Sequence, residues 1–338
     1  MLTLFTLNRR SAALAVLSAG LVLSGCETVI DLPEPAHTPR IALKYILSNY
    51  TTQRQHDELA NTRTLFVSTS QRIFSTKDVR GRKDATVVIL DENGTEVERF
   101  QPVPPTSPYD TFNIGTYQPT RNLKGEPGRT YTLQASLPGF ETVESKLTLP
   151  AVPVIESATF IKNVSKSDQS NVYGQLSITV ADDPGATNYY VAFARVVDSQ
   201  NNQYQGWSQV DIATDESDVD VDLGQFQLST IYSFQGYGYD LFPFADAAVN
   251  GKRFSLTTNV RYYDGYCPQA SNCQRPDYME VYVTSMTQDT YNFFLARRRY
   301  NDSEGNPFAE PAPLPSNIRP GYGLFGGMTD AVYRIKLR

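Results

Sequence analysis

The sequence predicts a mostly β protein built from two β-sandwich (Ig-like) domains in tandem, with one short helix near the C-terminus of the second. Short runs rich in β-branched and aromatic residues recur along the chain, and turn signals separate them. A single segment near the C-terminus carries both helix boundary signals and an apolar stripe. These observations together favour sandwiches over a helical or α/β architecture.

The chain begins with a segment that is typical of a lipoprotein signal peptide. Arg9 and Arg10 form a positive start, residues 12–23 are apolar, and Leu23-Ser24-Gly25-Cys26 places small residues directly before a cysteine. Residues 1–25 are therefore predicted to be removed, leaving Cys26 as a lipidated N-terminus anchored in a membrane. The alternative is an ordinary signal peptide with Cys26 incidental. The apolar run is shorter than the ~20 residues of a spanning helix.

A proline-rich spacer, residues 26–40, is predicted to separate the anchor from the first sandwich, residues 41–150. Asn93-Gly94 between two apolar runs predicts a hairpin. The best strands of this domain are expected at 41–48, 64–70, 86–90, 130–136 and 141–149.

Two prolines in Leu149–Val154 predict the joint with a C-terminal β-rich domain, residues 151–338. Its best strands are expected at 155–163, 172–180, 189–197, 253–262 and 279–285. The Pro- and Gly-rich tail, 307–327, is predicted to cover a domain edge before a last strand at 331–337.

The helix of this domain is predicted to start at Thr287 as N-cap, with Asp289 in its first turn and Arg297–Arg299 in its last. Its buried stripe is expected to comprise Tyr291, Phe294, Leu295 and Tyr300.

The charge of the chain excludes two classes of partner. The formal net charge is −6, and it becomes about −8 once Arg9 and Arg10 leave with the leader. An acidic body repels phosphate backbones and anionic headgroups, so nucleic acid is not an expected partner. Hydrophobic residues make up 40% of the chain, which indicates a globular rather than a disordered protein.

Cys267 and Cys273 lie close together in a turn-rich stretch of a chain predicted to be exported. A local disulfide is the favoured interpretation, and free or metal-bound thiols are the alternative. The two histidines, His37 and His56, lie far away in sequence, so neither metal ligation nor a nucleophile–base pair is indicated.

Two further motifs have the composition of binding sites. Gly321-Tyr322-Gly323-Leu324-Phe325-Gly326 matches a dinucleotide fingerprint but lacks room for a βαβ unit, so no cofactor is expected and an irregular loop is preferred. The acidic stretch 215–222 alternates aspartate with valine, which indicates either a charged edge strand or a calcium site. The edge strand is favoured, because Gly224 falls one residue late for a compact calcium loop.

Aromatic residues mix with glycine and proline in residues 232–244. Such a segment does not form one buried strand, and exposed aromatic loops are common contact sites for partners or sugars. Tyr237, Tyr239, Phe242 and Phe244 are the predicted contact residues, with structural packing as the alternative.

Several stretches together resemble one lipoprotein family, the domain of unknown function family 4249. They are Cys26–Pro33, Pro127–Leu133, the joint at Leu149, Asp182-Asp183-Pro184-Gly185, Asn188-Tyr189-Tyr190, Asp246, Asn250-Gly251-Lys252, Asn306–Pro311, Ser316–Ile318 and Gly321–Gly327. The resemblance implies an outer-membrane lipoprotein, facing the cell surface or the periplasm, and often encoded beside TonB-dependent transporters. It assigns no catalytic residues.

The sequence therefore predicts a non-enzymatic, lipid-anchored binding or accessory protein with a TonB-dependent transporter as partner. The competing hypotheses are a surface hydrolase acting on glycan through unidentified carboxylates, and an adhesin or surface-structure component.

Overall fold

The computed structural model describes residues 35–50, 63–72, 75, 79–104, 114–168, 170–185, 187–200, 210–213, 228–229, 241–247, 250–265, 275–303 and 313–338. Residues 38–71 and 77–338 form one compact unit, and the remaining unit comprises residues 1–37 and 72–76. The architecture given below is that of the larger unit.

Fifteen strands make up about half of the described residues, and the helical content is small, which confirms the mostly β prediction. The seven strands of the N-terminal half are β1 (Ile41–Ser48), β2 (Leu65–Thr69), β3 (Thr86–Leu90), β4 (Glu96–Pro102), β5 (Thr116–Pro119), β6 (Thr130–Ser136) and β7 (Val143–Thr148). The strands of the C-terminal half are β8 (Val154–Lys162), β9 (Asn171–Ala181), β10 (Tyr189–Val197), β11 (Val210–Ile212), β12 (Phe244–Ala245), β13 (Arg253–Tyr263), β14 (Tyr278–Met286) and β15 (Tyr322–Lys336).

The predicted hairpin between β3 and β4 is confirmed. Gly94 has a φ of 78°, and the Asp91 carboxylate accepts hydrogen bonds from the backbone N–H of Asn93 (2.9 Å) and Thr95 (2.8 Å). An aspartate that bonds the backbone two residues ahead stabilises a tight reversal, so this turn is specified by its own residues.

Strand β15 is shared by two packed regions of the unit. Its first half pairs in parallel with β1, from Tyr322 opposite Ala42 to Met328 opposite Ser48. The second half pairs antiparallel with β14, from Met328 opposite Met286 to Lys336 opposite Tyr278. One eleven-stranded sheet therefore runs through both halves of the chain, in the order β12-β10-β14-β15-β1-β2-β5-β4-β3-β6-β7.

The first hydrophobic core lies among β1–β7 and takes Ile318 and Phe325 from the C-terminal tail. The strands around it close on themselves, because Glu144 of β7 and Arg319, just before β15, exchange backbone hydrogen bonds of 2.7 and 2.9 Å. A tail segment thus completes the packing of the N-terminal half.

The second core lies between two sheets. Strands β10, β14 and the end of β15 face a four-stranded sheet of order β11-β13-β9-β8 across residues such as Val196, Val281, Ile178 and Leu256. This half has the sandwich character that the sequence predicts. A tandem pair of separate Ig-like sandwiches is not confirmed, since the larger sheet contains strands from both halves.

The described residues contain one complete helix, α1 (Gln288–Ser303). Its first residue confirms the predicted start after Thr287. It packs on the outer face of β10, β14 and β15 through Phe293 and Phe294. The helix ends later than predicted, so Arg297–Arg299 lie inside it. Tyr300, placed in the predicted stripe, is 50% exposed, because the helix runs past the apolar surface that it covers.

The Gly-rich tail is a strand from Tyr322 onward and not the irregular loop that its composition predicts. Gly323 has a φ of 115°, and a Cβ there would lie 1.8 Å from the Leu43 carbonyl oxygen. Glycine is required for β15 to approach β1 this closely, which explains the fingerprint-like spacing without a nucleotide.

Candidate functional site

Three separate segments meet at one end of the second core. The first is the turn between β9 and β10, the second is Asp246 directly after β12, and the third is Gly251 just before β13. They bring together Asp182, Asn188, Tyr190, Asp246 and Gly251, a group that we call the carboxylate cluster. The ends of β9, β10, β12 and β13 set its geometry, so the cluster is built on the ends of strands.

Asp246 is the most deeply buried member of the carboxylate cluster, with 0% exposure. Its Oδ2 accepts hydrogen bonds from the backbone N–H of Asn188 (2.9 Å) and from Asn188 Nδ2 (3.1 Å). Its own N–H donates to the Asn188 carbonyl at 3.1 Å. Oδ1 is buried and has no hydrogen-bond partner among the described residues.

Asp182 supplies the second carboxylate. Its Oδ1 accepts hydrogen bonds from the Tyr190 hydroxyl (2.7 Å) and Asn188 Nδ2 (3.2 Å), and its Oδ2 accepts from the Gly251 N–H (2.7 Å). Gly251 has a φ of 71°, and a Cβ there would lie 2.6 Å from Pro184 Cβ. Only glycine therefore brings this N–H close to the carboxylate without strain.

The Asp182 carboxylate affects the ionisation of Asp246. Burial raises the pKa of Asp246 above its ordinary value, the Asn188 hydrogen bonds oppose that shift, and the adjacent Asp182 carboxylate adds to it. Burial, and then the hydrogen bond to Asp182, also raises the pKa of the Tyr190 hydroxyl. Asp246 therefore holds its proton to a higher pH than a solvent-exposed aspartate does.

A cleft of about 620 Å³ lies beside the carboxylate cluster, at the border between the two halves of the chain. It is lined within three segments, 146–150 at the end of β7, 187–189 before β10, and 285–289 at the start of α1. Asn188 belongs to both the cleft wall and the cluster, so the cluster fixes the conformation of one wall of the cleft.

A larger cavity of about 700 Å³ lies near the start of β9, at the opposite end of that strand from the carboxylate cluster. Lys162, Lys166 and Arg261 line it, and no described carboxylate does. We place the candidate site at the smaller cleft, because the motifs of the sequence converge there and not at the larger cavity.

The structure places Phe244, one of the four predicted contact residues, in the second core. It is 0% exposed, and its ring lies 5.8 Å from that of Tyr190 and 6.0 Å from that of Phe254. Its prediction as a surface contact is corrected, because β12 turns the side chain into the sandwich. Phe242 is half-buried with the Arg298 guanidinium 4.0 Å above its ring.

The remaining predicted positions lie outside the described residues. They are the lipidation site Cys26, the disulfide pair Cys267 and Cys273, the loop residues Tyr237 and Tyr239, and the acidic stretch 215–222. These predictions stay predictions.

Among the described residues, no group of three or more His, Cys, Asp or Glu side chains is placed to hold a metal ion. No described helix combines the length and the apolar character needed to cross a membrane.

Sequence reasoning missed the carboxylate cluster as a unit. The signal was present in the motifs around Asp182, Asn188, Asp246 and Gly251, but they are separated by up to 69 positions. Their meeting depends on the pairing of β10 with β12 and of β9 with β13, which the sequence alone does not reveal.

Comparisons with known proteins find one family. A family model described as "Domain of unknown function (DUF4249)" matches residues 55–334. Among solved structures, the chain is similar to a mutant of Salmonella alpha-2-macroglobulin at 8% identity and a TM-score of 0.19. That match covers 94% of this chain but only 16% of the other. No curated protein matches the sequence.

Proposed function

The chain belongs to the family of the domain of unknown function DUF4249, and we propose that it is a lipid-anchored outer-membrane or cell-surface lipoprotein. In this role it acts as a non-enzymatic binding subunit of a TonB-dependent uptake system. The observation that carries the proposal is the Leu23-Ser24-Gly25-Cys26 motif at the end of an apolar leader. The proline-rich spacer that follows ends where β1 begins, at Ile41.

The mechanism of such a subunit is tethering. An anchor in the membrane confines the body near other membrane components, so modest contacts suffice for association at high effective concentration. Tyr237, Tyr239 and Phe242 are the proposed aromatic contacts with the transporter, and Phe244 is removed from that set because of its burial.

The carboxylate cluster does not favour a hydrolase. Retaining and inverting glycosidases separate their two carboxyl groups by ~5 to 9 Å to admit a nucleophile or a water. Asp182 and Asp246 instead interact directly, and backbone and side-chain donors occupy three of their four oxygens. Their chemistry therefore suits structural support of a binding surface better than attack on a substrate.

The proposal is tested by mass spectrometry of the mature protein purified from native membranes. We expect the N-terminal peptide to begin at Cys26 and to carry a diacylglycerol thioether with a further acyl chain on its amine. The variant Cys26→Ser is expected to be depleted from the membrane fraction, because it lacks the acylated thiol. An unmodified Cys26, or a different N-terminus, would contradict the anchor.

The accessory role has its own test. We expect affinity purification after detergent solubilisation to recover a TonB-dependent transporter in stoichiometric amount. The double variant Tyr237→Ala/Tyr239→Ala is expected to reduce that recovery, whereas Tyr322→Ala, at an exposed tyrosine of β15, is the control. Recovery of the protein without an outer-membrane partner would count against the accessory role even if Cys26 is lipidated.

A further inference from the structure

We propose that the cleft beside the carboxylate cluster binds a neutral saccharide. The inference names a ligand class for the binding protein proposed above and so rests on that function. Its test, however, is independent of lipidation and of any transporter.

The composition of the cleft walls indicates a ligand rich in hydroxyl groups. Nine of the twelve lining residues carry a hydroxyl, amide or charged group, whereas pockets for drug-like apolar ligands are lined mainly by hydrophobic side chains. The Thr148 and Thr287 hydroxyls pair with those of Thr130 (2.8 Å) and Thr290 (2.7 Å), and Asn188 Nδ2 donates to Asp182 and Asp246. Thr187 and Gln288 of the lining can both donate and accept hydrogen bonds. Hydroxyl groups of a sugar require partners with this dual capacity.

The charge of the cleft favours a neutral ligand over an anionic one. Lys146 and Asp289 are the charged residues of its described lining, and their signs oppose each other. The Asp289 carboxylate also accepts a hydrogen bond from Asn317 Nδ2 at 2.9 Å. An anionic ligand would find more cations in the larger cavity around Lys162, so the two cavities differ in the ligand charge that they suit.

An aromatic ring supplies the apolar part of the cleft. Tyr189 lines the cleft, and its ring lies 4.6 Å from that of Tyr291 on α1 at an interplanar angle of 32°. A tyrosine braced by a second ring loses little rotamer freedom when it contacts a ligand. The less polar face of a sugar ring packs well on such a surface.

The carboxylate cluster pre-organises the wall that carries this tyrosine. Asn188 donates through its backbone N–H to Asp246 and through its side chain to both aspartates. Tyr190, on the other side of Tyr189, donates its hydroxyl to Asp182. Both neighbours of Tyr189 are therefore held in place, which reduces the entropy cost of ligand binding.

The inference is tested by isothermal titration calorimetry on the mature protein in a detergent that carries no sugar headgroup. Four probes are used: maltohexaose, xylohexaose and laminarihexaose as neutral chains, and hexagalacturonate as an anionic chain. We expect at least one neutral hexasaccharide to bind with a Kd of about 0.1–1 mM, more tightly than hexagalacturonate.

Three variants locate the binding. Tyr189→Ala is expected to weaken the best neutral probe roughly tenfold and Gln288→Ala by about threefold, from the loss of one packed ring and one hydrogen-bonding group. Tyr300→Ala changes an exposed tyrosine about 16 Å farther along α1 than Asp289 and is the matched control, with no expected change.

Thermal unfolding of each variant separates loss of the site from loss of the fold. The inference is overturned if no neutral probe binds at about 5 mM, some fivefold above the weakest expected Kd. It is also overturned if the anionic probe binds best, or if a folded Tyr189→Ala variant retains the affinity of the wild type. Binding by a protein that lacks the lipid would support the inference while contradicting the proposed anchor.

Discussion

Asp330 and Asp246 are both buried, but different groups face their carboxyl groups. Asp330 lies at the junction of the two cores and is 4% exposed, and Arg63 Nη2 donates to both of its carboxylate oxygens at 2.7 and 2.6 Å. Thr284 adds a hydroxyl donor at 2.7 Å. Asp246 is more deeply buried but faces Asp182, a second carboxylate.

The difference teaches which charges tie the fold together and which respond to pH. The Arg63–Asp330 pair links the segment before β2 to β15. Asp246 instead has a raised pKa, because burial and the adjacent Asp182 carboxylate disfavour its ionised form. The carboxylate cluster is therefore expected to respond to pH.

The largest expected effect comes from removing Arg63, the cation that pairs with Asp330. Arg63→Ala leaves the Asp330 carboxylate buried without a charge partner, and we expect a loss of about 3–5 kcal/mol in the free energy of unfolding. Urea denaturation at pH 7 measures it. Arg82→Ala removes an ion pair whose side chains are 32% and 45% exposed, and a loss below about 1 kcal/mol is expected for this control. Equal losses in the two variants would show that burial does not distinguish the pairs.

Gly323→Ala tests the same junction through the backbone. The added Cβ would meet the Leu43 carbonyl at a φ that disfavours L-residues, so β15 would have to move away from β1. We expect a loss of about 3 kcal/mol. Gly94→Ala is the control, because its φ is also positive but nothing lies within 4 Å, and about 1 kcal/mol is expected there. Similar losses at both glycines would contradict the close approach of the two strands.

In the carboxylate cluster, Asp246→Ala removes the acceptor of both Asn188 donors. We expect a loss of about 1 kcal/mol in urea denaturation, because the half-buried Asn188 loses this acceptor, while its Nδ2 keeps Asp182 Oδ1 and the Asp183 carbonyl. Asp246→Asn keeps a carbonyl for those donors and offers an amide N–H to Asp182. This variant is expected to be as stable as the wild type at pH 7. A large loss in Asp246→Asn would show that the charge itself is needed.

The smallest expected effect is a pH dependence that Asp246→Asn removes. Because the folded pKa of Asp246 is raised, the folded state binds the proton more tightly than the unfolded state does. Its stabilising contribution is complete below the unfolded pKa and is lost as the pH rises through the folded one. Asp182, Asp183 and Tyr190 are the titratable groups that surround this site.

The measurement is the difference in free energy of unfolding between the wild type and Asp246→Asn from pH 4 upward. Carboxylates with lowered pKa, such as Asp91 and Asp168, give the opposite slope, but they are common to both proteins and cancel. We expect the wild type to lose free energy of unfolding relative to Asp246→Asn as the pH rises. A difference that stays constant would mean that the pKa of Asp246 is not raised in the folded state.

Local features of the fold could be predicted from the sequence, and non-local ones could not. The bounds of β1, β3, β6 and β10 follow from β-branched and aromatic runs that end at turn residues. The first half of β15 was missed because its glycines are poor strand formers by themselves. They are explained only by the closeness of β1, which lies about 280 residues earlier.

The same distinction holds for the site. Phe244 was assigned to the surface because its neighbours in sequence are glycines and aromatic residues, but its burial depends on pairing between β12 and β10. Arg63 and Asp330 are 267 positions apart, and no local pattern marks either of them. Charged pairs of this kind become visible only when the strand order is known.

The parallel pairing of β1 with β15 has a consequence for biosynthesis. Ala42 cannot meet Tyr322 until about 280 further residues have been synthesised, so β1 lacks this neighbouring strand while they are made. A nonsense mutation before Tyr322 would remove the strand that pairs with β1 and leave that edge of β1 exposed.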